Sequence, residues 1–161
     1  MASATCFTLR LHVSAAPLWG GLTLALGATT VMQPLPIYAS LLAILFVALS
    51  VRTLRLRRSL KIAIGDAGDQ RMLRAMRVHS NFAEYVPFAL ILLYLVQTSG
   101  APSWLIHGLG LCLLFGRISH AFGVSRQKEP YQYRVAGMAL TFTVLLVSSA
   151  YLLFVAARGG T

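Results

Sequence analysis

Acidic residues are nearly missing from this chain: four in 161, against fourteen Lys and Arg. Charged residues of both signs make up only 11% of it, and there are two cysteines. Each shortage closes off a class of protein. A soluble domain carries about 25% charged residues, so this chain is not built to present its surface to water. Cys6 lies in the N-terminal stretch and Cys112 inside an apolar run, which gives neither a disulfide framework nor metal-ligand spacing. Cys112 reads as a small buried residue. HExxH, CxxC, GxSxG and phosphate-loop patterns are all absent, leaving metal, hydrolase and nucleotide chemistry without a motif.

What remains is apolar. Hydrophobic residues make up 57% of the chain and the mean hydropathy is +0.72, which marks an integral membrane protein. The net charge of +10 would suit nucleic acid, but the positions of the charges argue against it. Eight of the fourteen basic residues fall between Arg52 and Arg77, and Arg126, Lys128 and Arg134 follow the third apolar run. Basic residues gathered in alternate loops mark the cytoplasmic side. The 52–77 and 123–134 loops are therefore expected there, with membrane lipid and no nucleic acid as partner. Small size and the lack of a eukaryotic retention signal point to a bacterial inner membrane.

Four spans are legible. The first is uninterrupted from Pro34 or Pro36 to Val51. Its helix is expected to continue beyond the membrane along Arg52, Arg55, Arg58 and Ile62, until Gly65-Asp66-Ala67-Gly68-Asp69 breaks it. Met72 to Val96, Trp104 to Phe122 and Tyr133 to Val155 follow. They are separated by the uncharged Gly100-Ala101-Pro102-Ser103 turn and by a polar loop from Gly123 to Pro130. Residues 34–161 read as one all-α domain, a bundle of four transmembrane helices. Residues 1–33 stand apart as an N-terminal extension. Val13 to Val31 is apolar but diluted by Gly20, Gly21, Gly27 and three threonines. It reads as a fifth span, as a signal-like segment with Arg10 in its basic region, or as sequence upstream of a start at Met32.

Polar residues concentrate in the second span. Arg74, Arg77, Asn81 and Glu84 are spaced three, four and three apart, so at about 100° per residue they share one stripe of a helix. Such a stripe entering a membrane is costly unless it faces protein, water or ligand. Glu84 alone among the acidic residues lies inside an apolar run. It either neutralises Arg77 or Arg117 and ties helices together, or joins Arg77 and Asn81 in a set suited to a zwitterion. In that set a guanidinium fork takes a carboxylate and a carboxylate takes an ammonium. Arg117 and His120 near the end of the third span, and Arg134 at the start of the fourth, lie at the same depth. Singly, Arg117 would snorkel to the interface and His120 would bond a neighbouring helix. Together they outline a basic pocket, bordered by lipid, where an anionic water-soluble ligand can meet an apolar partner. His79 lies off the stripe and is expected to be solvated or to touch a loop. His107 is expected at the opposite interface, and Tyr131 and Tyr133 in an aromatic belt.

These residues resemble a known family, the membrane-associated proteins in eicosanoid and glutathione metabolism, which includes microsomal glutathione transferases, leukotriene C synthase and microsomal prostaglandin E synthase. The resemblance spans about residues 36–156. It is carried by Arg77-x-x-x-Asn81-x-x-Glu84-Tyr85-x-Pro87, preceded by Arg74, and by Gly116-Arg117-x-x-His120. It implies a homotrimer that binds glutathione as co-substrate, without metal, between neighbouring subunits near the cytoplasmic face. On this resemblance Arg77, Asn81, Glu84 and Tyr85 hold the tripeptide, with Glu84 near its amino group. Arg52, Arg117 and His120 border the same pocket, and Arg134 is the catalytic, thiol-activating residue. A thiol of pKa about 8.5 is mostly protonated at neutral pH, and a cation beside it in a low-dielectric pocket favours the thiolate. The thiolate would attack an electrophilic carbon of a lipophilic molecule or the oxygen of a lipid hydroperoxide. The chain departs from the synthase members at Val124, where they carry tyrosine, and at Val135, where the prostaglandin synthase carries serine. The implied activity is that of a glutathione S-transferase, with peroxidase activity as a variant. A non-catalytic glutathione-binding or structural relative is the rival. A small transporter would need a polar path through the whole bilayer, whereas these ionisable groups gather toward one face.

Overall fold

The computed structural model describes residues 33–126 and 131–159, and the readings offered for residues 1–32 lie outside them. Four helices follow in order: α1 Leu35–Leu60, α2 Gln70–Thr98, α3 Ser103–Ser125 and α4 Tyr131–Gly159. Each is long and apolar enough to cross a membrane. Even α3, with 23 residues, extends roughly 34 Å at about 1.5 Å per residue. No strand occurs among the described residues. The chain is an all-α bundle of four membrane-spanning helices.

Burial follows the logic of a lipid solvent. Leu42, Phe82, Val86, Ala89, Leu93, Ile106, Leu113 and Val144 form the interior, while Ile44, Leu146 and Leu153 are 67, 70 and 72% exposed. Outward-facing leucines and isoleucines are costly in water and neutral in lipid tails.

Side-chain bonds fix the helix directions. The Leu35 amide donates to Oε1 of Gln97, placing the start of α1 beside the end of α2. Arg52 of α1 donates to Ser125, and Arg74 of α2 donates to the Val124 carbonyl at 3.4 Å. Ser119 Oγ donates to the Tyr133 carbonyl at 2.9 Å. The end of α1, the start of α2, the end of α3 and the start of α4 therefore gather at one end of the bundle. Helices α3 and α4 meet through glycines. A Cβ on Gly137 would fall 2.6 Å from the Gly116 carbonyl oxygen and 2.7 Å from the His120 amide nitrogen. Small residues are what permit such backbone approach in membrane bundles.

Helices α2 and α4 run two to four residues beyond the spans read from sequence, and two further boundaries differ for a visible reason. Helix α1 ends at Leu60, because Lys61 takes a left-handed conformation (φ 54°) and its amide returns to Arg57 and Arg58. The Arg57 guanidinium then holds the turn by donating to the Ala63 and Gly65 carbonyls, each at 3.2 Å. The break thus begins before the Gly-Asp cluster. At the other boundary Gly123 does not end α3. It is buried, with a hypothetical Cβ 3.0 Å from the Arg134 amide nitrogen, so it serves the α3–α4 contact and the helix runs on to Ser125.

Candidate functional site

The polar stripe of α2 is set in phase by the helix start. Asp69 accepts from the Arg71 and Met72 amides at 2.8 and 3.1 Å, satisfying donors that the first turn leaves open. From that anchor Gln70, Arg74, Arg77, Asn81 and Glu84 recur at intervals of four, three, four and three, and all five line one cavity of about 460 Å³. His120 of α3 and Arg134 of α4 line it too, with Leu73, Ser80 and Val124. Its volume falls within the roughly 300–1,000 Å³ typical of small-molecule sites.

Three arginines line this cavity, Arg74, Arg77 and Arg134, and among the described residues Glu84 is the one acidic residue in the lining. Among the described residues the one ion pair joins Arg71 to Asp69 at 2.9 Å. Glu84 is exposed on the rim and pairs with neither Arg77 nor Arg117. The described lining thus carries an excess of positive charge, with one carboxylate at its rim. Among the described residues no cluster of three His, Cys, Asp or Glu side chains could hold a metal ion.

Arg74 of the stripe lines the cavity, and so do five of the eight residues that the resemblance assigns to the site: Arg77, Asn81, Glu84, His120 and Arg134. The other three do not line this cavity. Arg117 is 1% exposed and sits behind it, donating from Nη1 to Asn81 Oδ1 at 2.8 Å and from Nη2 toward Met138 sulfur at 3.5 Å. It neither snorkels nor reaches Glu84. Tyr85 is half-buried, its ring edge-on to Phe142 of α4 with centroids 5.7 Å apart. Arg52 lines a second, neighbouring cavity, together with Arg55, Arg71 and Arg74.

Sequence reasoning left out Gln70, Leu73 and Ser80. The signal for them was the same periodicity, since Gln70 lies four residues before Arg74 and Ser80 three after Arg77. The expectation for His79 fails: its Nε2 meets Ser50 Oγ at 3.0 Å and its ring stacks on Phe46, so it joins α2 to α1 instead of meeting solvent or a loop. His107 bonds Tyr38 through Nδ1 at 2.8 Å, tying the start of α3 to α1.

Comparison with known proteins agrees with this architecture. The chain is 35% identical over 111 residues to the inner membrane protein YecN of Escherichia coli K12, covering 69% of this chain and 83% of that protein. YecN from a second E. coli strain matches with the same figures. The MAPEG family pattern matches residues 35–154, from the start of α1 nearly to the end of α4. Four apolar helices, a polar stripe on the second and a match along the whole bundle lead to one conclusion: this chain belongs to the MAPEG family of membrane proteins.

Proposed function

We propose that this protein is a glutathione-dependent transferase of a bacterial inner membrane, working as a homotrimer with the 52–77 and 123–134 segments on the cytoplasmic side. Glutathione binds in the cavity lined by Arg74, Arg77, Asn81, Glu84, His120 and Arg134. The observation that carries this reading is the carboxylate of Glu84, without an ion-pair partner among the described residues, on the rim of a cavity lined by three arginines. Glutathione has two carboxylates, one ammonium and a thiol. The arginines suit the carboxylates and Glu84 suits the ammonium. Arg77 and Glu84 are both exposed, so the open side of the cavity faces outward, where a neighbouring subunit completes it.

The chemistry follows from the charge balance. A guanidinium beside the sulfur favours loss of the thiol proton to solvent, and Arg134 at the start of α4 is the residue assigned that role. The thiolate then forms a carbon–sulfur bond with a lipophilic electrophile, whose leaving group departs with the bonding pair. With a lipid hydroperoxide the sulfur takes the terminal oxygen, the alcohol leaves, and a second glutathione resolves the product to a disulfide and water.

Calorimetry on the detergent-purified protein tests the reading. Wild type should bind glutathione, while Glu84→Gln and Arg77→Ala should each lose about tenfold or more in affinity and keep the wild-type oligomeric state. Absence of heat up to millimolar glutathione would sink the proposal.

A further inference from the structure

A second cavity, larger than the first, lies on the other side of Arg74, between α1, the start of α2 and the end of α3. Its volume is about 880 Å³, and its charged lining is Arg52, Arg55, Arg71 and Arg74, with no carboxylate among the described residues. The hydroxyls of Ser59 and Ser125 add polar groups, while Ala48, Val51 and Leu56 form an apolar wall. Some of these cations have protein partners. Arg71 pairs with Asp69, Arg52 donates to Ser125 and Arg74 donates to the Val124 carbonyl. Arg55 is exposed, and among the described residues it makes no hydrogen bond or ion pair.

An exposed apolar stripe adjoins the cavity on α1. Ile44, Val47 and Val51 are exposed and spaced three and four apart on α1, and Arg55 follows Val51 by four. That spacing puts an apolar stripe directly below the arginine cluster on one face of the helix. The combination of a fixed cationic pocket and an apolar track leading from it toward mid-membrane matches one kind of molecule.

We propose that this cavity binds a phospholipid of net negative charge, its phosphate held by Arg55 and Arg52 and an acyl chain lying along Val51, Val47 and Ile44. Guanidinium forks bind phosphate oxygens in bidentate fashion, and basic pockets between membrane helices are natural seats for anionic headgroups. A soluble phosphate would use the arginines and leave the apolar track bare. A lipid uses both. The proposal does not rest on glutathione filling the neighbouring cavity, although Arg74 borders both and the family resemblance places Arg52 at the glutathione pocket.

Native mass spectrometry of the full chain, released from detergent mixed with phosphatidylglycerol or with phosphatidylcholine of the same acyl chains, tests it. Phosphatidylglycerol should be retained at least tenfold more strongly. The preference should fall roughly fivefold in Arg55→Gln and further in Arg52→Gln/Arg55→Gln, while Arg58→Gln, exposed on the same helix outside the cavity, changes it less than twofold. Equal retention of the two lipids overturns the proposal, as does an Arg58→Gln effect matching that of Arg55→Gln, which would mean diffuse attraction. Displacement by inorganic phosphate assigns the cavity to a free anion, and displacement by glutathione assigns it to the thiol site. Loss of oligomers in the double variant, with no lipid retained by wild type, assigns it to a second copy of the chain. Each of these three results also overturns the proposal.

Discussion

The buried guanidinium of Arg117 holds the amide of Asn81 from behind, Nη1 to Oδ1 at 2.8 Å, and so links the interior of the bundle to the wall of its polar cavity. With that oxygen engaged, the NH₂ group is what Asn81 offers a ligand. Arg117 Nε has no hydrogen-bond partner among the described residues, and its other contacts, to the Asn81 carbonyl and the Met138 sulfur, are long at 3.5 Å, so the side chain depends heavily on the bond to Asn81 Oδ1. A hydrogen bond to a charged group contributes on the order of 1.5–3 kcal/mol, and stranding a buried partner costs at least as much. Asn81→Ala should therefore lower thermal stability in detergent far more than Glu84→Gln, whose side chain is exposed. Adding Arg117→Met to Asn81→Ala should recover part of the loss, because the stranded charge is gone. Additive losses would show that the bond carries no coupling.

The close approach of α3 and α4 yields a second prediction with opposite signs at two glycines. Alanine normally stabilises a helix interior by about 1 kcal/mol over glycine. At Gly108 a Cβ would meet nothing within 4 Å, so Gly108→Ala should raise the unfolding temperature. At Gly137 the Cβ would strike the backbone of Gly116 and His120 at 2.6 and 2.7 Å, which only separation of the helices relieves. Overpacking of this kind costs about 1–3 kcal/mol, so Gly137→Ala should melt earlier. It should also bind cavity ligands less well, because His120 moves with α3. Equal melting temperatures for the two variants would refute the contact.

What was legible beforehand, and what was not, follows the range of the interactions. The four spans and the Arg74-Arg77-Asn81-Glu84 stripe are periodic features, and periodicity is written locally. Gln70 and Ser80 belong to the same period and were within reach. The bonds Tyr38–His107 and Ser50–His79 join residues 69 and 29 positions apart, and no local pattern announces them. Arg117 shows the difficulty best. As a lone arginine near a helix end it has the marks of a snorkelling side chain, and only the position of Asn81 on the facing helix turns it inward. Arg52 likewise sits at the same level as the stripe yet lines the adjoining cavity, a choice made by the packing of α1 against Ser125.

Arg134 separates chemistry from architecture. If it stabilises the thiolate, Arg134→Gln should abolish the ultraviolet thiolate absorbance that glutathione gains on binding at neutral pH, with affinity changed only a few-fold. Arg134→Lys should keep part of the signal, since the charge remains without the planar fork. A structural arginine would behave differently, lowering the melting temperature or dispersing the oligomer while the thiolate signal of the bound fraction persists. Activity alone would not distinguish the two roles, and the absorbance does.

The start of α2 responds to acid through Asp69. Its carboxylate lies outside the membrane span, and the hydrogen bond from the Arg71 side chain, followed by that from the Met72 amide, lowers its pKa from 3.8 to about 2. A pKa depressed in the folded state means that the stabilisation is complete above the ordinary value and is lost as pH falls through the lower one. Amide exchange at Arg71 and Met72 should therefore stay slow down to about pH 4 and quicken toward pH 2 as the first turn frays. Asp69→Asn should remove that dependence, because asparagine still caps the helix but has no proton to gain. The mutant's exchange, corrected for its intrinsic pH dependence, should be flat across the same window. A wild type that is equally flat would mean that the ion pair with Arg71 does not hold the helix start, and that the phase of the polar stripe is set by packing against α1 and α3 alone.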